Sequence, residues 1–270
     1  MLYPLAWSVS LSLQKNAGPV VSRFVGLANY RFLFTDRMFW FACMNTLIYA
    51  VLFLSLQLPL SLLLAILLND RRVRGRYLLR FSFFSTYLVG QVFLAVMAHV
   101  LLAPRHGLVN VVIGRLLPWI GPEINWSERP VLAMPAIVLA SVWVSIGYAM
   151  IYWLAALQSV DRELYEAAEV DGAGPWMRFR HVTLPGIRPV AVFLLLVGTI
   201  AALSLFDLPF VFFQGPGPGF AGMTIVMYLY EQGFVAGDIG YAAAVGWVLV
   251  FLILGITLVQ IRVTGAARDL

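Results

Sequence analysis

Five stretches of this chain, residues 39–69, 81–104, 130–160, 189–206 and 239–261, each run for at least eighteen residues without a charged side chain. A helix needs roughly 20 such residues to cross a hydrocarbon layer of ~30 Å, whereas a soluble helix rarely stays apolar for so long. The rest of the composition agrees. The chain is 61% hydrophobic and 11% charged, against about 25% charged in soluble domains. The expected fold is all-α and polytopic, a single membrane domain over residues 1–270.

An uncharged apolar segment, residues 1–14, precedes the first long run. It is too short to cross by itself and lacks the basic start and small-residue cleavage site of a signal peptide. It reads as the second half of a first span or as an interfacial segment. The polar stretch after it reads as a loop, which favours the partial span. Five full spans plus a partial N-terminal one are therefore predicted, the one that begins at 189–206 continuing through 207–213. Residues 27–34 are expected to form a short interfacial helix, and Pro59 is a candidate kink. Residues 105–129 read as a polar loop whose Trp119 and Trp126 suit an interface belt. Residues 214–222 are rich in glycine and proline and read as a break, and 223–240 as a polar-aromatic loop with Glu231 and Asp238.

The net charge of +5 rests on 17 arginines and Lys15, and in a membrane protein it is read as topology. Five arginines fall within residues 70–80. With that loop inside, alternation puts residues 160–189 and the C-terminus inside too. The inner loops then carry eleven basic residues and the outer loops seven, in the sense of the positive-inside rule. No basic run interleaved with aromatics supports nucleic-acid binding. The single cysteine, Cys43, lies in an apolar run and reads as a core residue. His99, His106 and His181 are scattered, so no metal site is expected. A phosphate-binding G-x-x-x-x-G-K-[ST] loop is absent, and Lys15 stands in no such pattern, so the chain cannot hydrolyse ATP alone.

The inner stretch 160–189 is longer and more highly charged than a connector needs. Asp161 is a plausible N-cap, with Glu163 in the first turn. Leu164, Tyr165, Ala167 and Ala168 recur at helical spacing, Gly172 suits a C′ position, and Pro175 can start a second helix. Residues 184–186, Leu-Pro-Gly, are expected to turn the chain, with Pro189 starting the next span. A helix–bend–helix with small residues at its contact face suits docking into a groove. It equally suits an amphipathic helix lying on lipid headgroups.

Glu166-Ala167-Ala168, three residues, Gly172, nine residues, then Val182-Thr183-Leu184-Pro185 resembles the EAA loop of the membrane subunits of binding-protein-dependent ABC importers. Glu166 to Ala173 matches the EAAxxDGA form seen in sugar permeases, with Val182 in place of the usual Ile. Residues 24–30, Asn45-Thr46, 205–219 and 240–244 also resemble that family. The third span lacks its usual Leu-Pro, showing Ser85-Thr86 instead. The resemblance implies a type I importer permease with six spans. It would pair with a second homologous permease as a heterodimer, sit on two ATPase subunits that hold ATP and Mg, and receive solute from an extracytoplasmic solute-binding protein. The location implied is the cytoplasmic membrane of a bacterium or archaeon. It implies ATPase coupling by Glu166, Ala167, Ala168, Asp171, Gly172 and Ala173, with Val182, Leu184 and Pro185 setting the angle into the next span. Sugars or related polyols are the implied solutes.

The solute path is marked less clearly. Asp207 is the only acid inside the membrane-spanning region and so a functional candidate, though it can equally cap a helix. Asn45, Gln91, Tyr148 and Tyr152 could bond a sugar's hydroxyls or simply join helices. Two rival classes have weaker support. An ion-driven secondary transporter or channel would favour mid-membrane acids and inverted repeats. A membrane enzyme would need clustered catalytic groups at a membrane face.

Overall fold

The structure, a computed structural model, describes residues 2–16, 22–117 and 124–265. Trp119 and Arg268, which the sequence assigned to an interface belt and to the inner basic tail, lie outside the described residues. Helix α1, Leu2–Ser12, leads into a hairpin of β1, Gln14–Asn16, and β2, Ser22–Phe24, so the chain is not purely helical. The expected interfacial helix is α2, Ala28–Thr35. Asn29 Nδ2 donates to the carbonyls of Ser12 and Gln14 at 2.8 and 2.9 Å, tying α2 to the end of α1.

Among the described residues four helices are long and apolar enough to cross a membrane: Arg37–Asn69, Pro130–Ser159, Pro175–Leu203 and Ile239–Thr264. We label the first two α3 and α7. Helix α3 runs unbroken through Pro59. Its C-terminal turn leaves carbonyls without helical partners, and Arg80 donates to one of them, Leu68 O, at 2.6 Å.

The predicted span 81–104 is a bent pair of helices, α4, Arg76–Leu88, and α5, Gln91–Leu101, which meet at 106°. Val89 and Gly90 between them are extended. Apolar character alone could not reveal the break, because both arms are apolar. The loop expected over 105–129 contains α6, Leu108–Leu116. Trp126 is not an interface anchor: it is 8% exposed and donates its indole N–H to Asn110 Oδ1 at 2.7 Å. Asn110 is itself fully buried and bonds the Ala103 and Ile124 carbonyls.

Beyond α7 the chain forms α8, Arg162–Val170, and α9, Pro175–Arg178. A π-helical turn, Phe179–Thr183, joins α9 to α10, Leu184–Leu203. After α10 come the short helix α11, Asp207–Phe213, and the expected break, which has positive φ at Gln214, Gly215, Gly217, Gly219 and Phe220. The loop expected over 223–240 is instead mostly helical, as α12, Ile225–Tyr230, and a π turn, Glu231–Val235. Ile225 and Met227 of α12 are fully buried. The last helix is α13, Ile239–Thr264.

Helices α4 and α7 pack backbone to backbone. A Cβ at Gly147 would stand 1.9 Å from the Phe83 carbonyl oxygen. At the opposite end of the long helices from α8, Asp36 caps α3 by accepting from Met38 N at 2.9 Å. Its other carboxylate oxygen accepts from the Tyr241 hydroxyl at 2.8 Å and from the Tyr228 hydroxyl. One carboxylate thus joins α3, α12 and α13. Partial burial pushes its pKa up, but the hydrogen bonds from both tyrosines and from backbone N–H groups outweigh burial and hold it below the ordinary value.

Two outcomes follow for the fold. Gly147→Ala should separate α4 from α7 and lower the thermal midpoint of the purified protein, as overpacking by about 1–3 kcal/mol does; an unchanged midpoint would contradict the close approach. Because the folded pKa of Asp36 is depressed, its contribution is complete above the ordinary value of 3.8 and is lost as pH falls through the folded value. Melting curves of Asp36→Asn should therefore show a lower midpoint near neutral pH and a smaller loss on acidification than wild type.

Candidate functional site

The charged stretch folds locally as its residues dictate. Asp161 accepts from Glu163 N at 3.1 Å, capping α8. Gly172, at φ +74°, ends it. The bonds Gly172 N to Glu169 O, 3.0 Å, and Ala173 N to Ala168 O, 2.9 Å, complete a Schellman turn. No atom lies within 4 Å of a Cβ built on Gly172, so the left-handed backbone, and not crowding, calls for glycine there. Pro175 occupies the first turn of α9.

From Pro175 the chain does not turn again. It continues as one helical body to Leu203, 29 residues in all. Leu184, Pro185 and Gly186 therefore lie in the first turn of α10 and do not form a turn, and Pro189 is inside the helix. Widening to a π turn at 179–183 carries the chain up to Pro185 without ending the helix.

The expected apolar face of α8 divides. Tyr165 and Ala168 are half-buried, and the Tyr165 hydroxyl meets Thr183 Oγ1 at 2.9 Å. Leu164 and Ala167 face outward. Val170, 88% exposed, and Trp176, 72% exposed, also lack cover from this chain. Two ion pairs brace the unit: Arg162 Nε to Glu166 Oε1, 3.1 Å, and Arg178 Nη1 to Glu169 Oε2, 3.2 Å. Both are exposed, so each is worth only about 0–1 kcal/mol. Asp171 is exposed beside the bend, and Ala173 and Val182 are half-buried. The Tyr165–Thr183 bond and the Arg178–Glu169 pair link residues that no sequence spacing marks as partners.

A cavity of about 400 Å³ lies between α3, the α4–α5 bend, α7, α10 and α11. Gln91, Tyr148 and Asp207 of the predicted residues line it. Asp207 stands in the first turn of α11. Tyr152 is not part of the lining; its ring stands 4.8 Å from that of Tyr148. Asn45 is elsewhere: its amide donates to Phe220 O and Met223 O at 3.0 and 3.1 Å, fastening the Gly-Pro break. The lining also contains polar residues that the sequence did not single out, including Gln57, Ser141, Ser145 and Tyr87. Gln57 is 5% exposed, and the Ser141 hydroxyl is buried without a hydrogen-bond partner among the described residues. Tyr87 and Tyr148 stack at 4.6 Å. A polar residue in a long apolar helix was the available signal for Gln57, but it marks Asn45 equally.

The histidines have local roles or stand apart. His99 Nδ1 donates to Phe212 O at 3.2 Å and His181 Nδ1 to Met177 O at 3.1 Å. Among the described residues no three His, Cys, Asp or Glu side chains come together as a metal site.

Residues 57–265 match the family described as binding-protein-dependent transport system inner membrane component. The chain is 35% identical to the arabinooligosaccharides transport system permease protein AraP of Bacillus subtilis, over 99% of this chain and 84% of that one. It is 35% identical to the lactose transport system permease protein LacF of Rhizobium radiobacter, over 100% and 89%. It is 37% identical to the sn-glycerol-3-phosphate transport system permease protein UgpA of Yersinia pseudotuberculosis, over 89% and 80%. Among solved structures, it superposes with a TM-score of 0.84 and 25% identity on a chain of a bacterial ABC transporter involved in alginate import, covering 98% of this chain and 90% of that one. The chain belongs to the inner membrane components of binding-protein-dependent transport systems, as a multi-pass permease subunit of the type I fold.

Proposed function

We propose that this chain forms half of the translocation pathway of an ATP-driven importer for a neutral sugar or polyol. It works with a second homologous permease, two ATPase subunits that hold ATP and Mg, and an extracytoplasmic solute-binding protein, in the cytoplasmic membrane of a bacterium or archaeon. The observation that carries the reading is the continuity of the helical body Pro175–Leu203. Its first turns belong to the exposed α8–α9 unit, and its far end supplies Leu194, Val197, Gly198 and Ala201 to the cavity wall. A push on the loop therefore moves the wall. In this reading Glu166, Ala167, Ala168, Asp171, Gly172 and Ala173 dock on an ATPase. Val182, Leu184 and Pro185 carry the displacement into α10. The uncovered side chains Leu164, Val170 and Trp176 supply apolar area for that contact.

The lining suits a polyhydroxylated solute. Tyrosine rings offer faces for C–H groups, while amides, hydroxyls and the Asp207 carboxylate offer hydrogen-bond partners. Among the described residues, the lining contains one carboxylate and no Lys, Arg or His. A phosphorylated polyol would meet repulsion there, so a neutral solute fits better. Relatives named for arabinooligosaccharide and lactose transport support the sugar reading.

Two tests address the loop and the cavity. Gly172→Pro and Glu166→Lys should each reduce copurification of the ATPase and solute uptake while leaving the chain in the membrane; full assembly and uptake in both variants would refute the docking role. Gln57→Leu should lower sugar uptake by about fivefold or more with ATPase assembly intact, as loss of a buried hydrogen bond of ~1 kcal/mol implies; unchanged uptake would remove Gln57 from the pathway.

A further inference from the structure

A second concavity, about 540 Å³, opens on the outside of the bundle between α3, α10 and α13. It is separate from the cavity described above, with which it shares no lining residue. Its walls are apolar: Leu58 and Leu62 from α3, and Ala191, Val192 and Leu195 from α10. Trp153 closes the floor, with its indole N–H satisfied by Ser61 Oγ at 3.0 Å, so it makes no polar demand on an occupant.

Arg188 and Thr264 stand at the end of the groove nearest the α8–α9 unit. The Arg188 guanidinium donates to the Thr264 carbonyl and so caps α13. That bond uses one of five N–H donors and neutralises nothing. Among the described residues Arg188 has no carboxylate partner.

We infer that this groove binds one anionic phospholipid, with an acyl chain along the Leu62–Val192 walls and the phosphate at Arg188. The argument is charge complementarity. An apolar trough ending in a guanidinium with no carboxylate partner among the described residues, at the basic, inner side of the bundle, matches an amphiphile with a negative head. A neutral lipid would satisfy the trough and leave the cation unanswered. The inference is independent of solute identity and of the docking role of α8.

The test is native mass spectrometry of the full chain, purified with its partner subunits, and titrated with phosphatidylglycerol or phosphatidylcholine. Wild type should retain phosphatidylglycerol in preference. Arg188→Gln should weaken that binding by about fivefold, the worth of one basic residue at a lipid surface, and leave phosphatidylcholine unchanged. Arg188→Lys should keep the preference, which separates charge from the capping role. Val192→Trp, which fills the trough, should abolish retention of both lipids. Equal binding of the two lipids by wild type, or undiminished phosphatidylglycerol binding by Arg188→Gln, would overturn the inference. So would disulfide trapping of the second permease at Val192→Cys, because protein would then cover the groove.

Discussion

Inside a bilayer a backbone group that leaves a helix finds no water to bond, and this protein's irregular parts are organised by that constraint. The chain breaks its helices after α10 and after α11, and there polar side chains answer the exposed carbonyls and amides. Asn45 takes the carbonyls of Phe220 and Met223. Thr46 accepts from Ile225 N at 3.0 Å, and Thr224 donates to Leu205 O at 2.7 Å. Asn110 and Arg80 do the same elsewhere. These bonds fix the α11–α12 insertion against α3 and so shape one wall of the cavity. Where the chain instead stays helical, through Pro185 and Pro189, a π turn absorbs the mismatch and the helix continues into the loop.

That continuity gives the architecture its mechanical character. The unit α8–α9 is stiffened by a Schellman turn, the Tyr165–Thr183 bond and two ion pairs. It has little apolar cover of its own, so its order comes from these local bonds and from the body of α10. In a two-state transporter such a unit can bias the cavity only if it moves with the cavity wall. A single helix serving both ends meets that condition without a relay of side chains.

Much of this was legible in the residues. Long uncharged runs predict α3, α7 and α13 almost to their ends, and Asp161, Gly172 and Pro175 mark the caps and bend of the charged loop by local chemistry alone. The failures have a common cause. The break at Val89-Gly90, the burial of α12 and the helical passage through Leu184-Pro185-Gly186 leave no mark in hydropathy or turn-residue content: the break lies between two apolar arms, and Leu-Pro-Gly reads as a turn wherever it stands. Asn45 and Gln57 look alike as single polar residues in α3, yet one fastens a loop and the other lines the cavity. Asp36 escaped notice because an acid before a span reads as a plain loop charge, and only the fold brings Tyr228 and Tyr241 to it.

The central claim is that the exposed loop and the cavity wall are one rigid body. Cys43 is buried, so introduced cysteines can be labelled selectively. Spin labels at Ala173 and Ala201, read by pulsed dipolar spectroscopy in the reconstituted transporter, should keep one distance whether or not ATP is bound to the ATPase. Labels at Ala173 and Val131, on α7, should change theirs. A nucleotide-dependent change between 173 and 201 would put a hinge between the loop and the cavity wall and contradict the account.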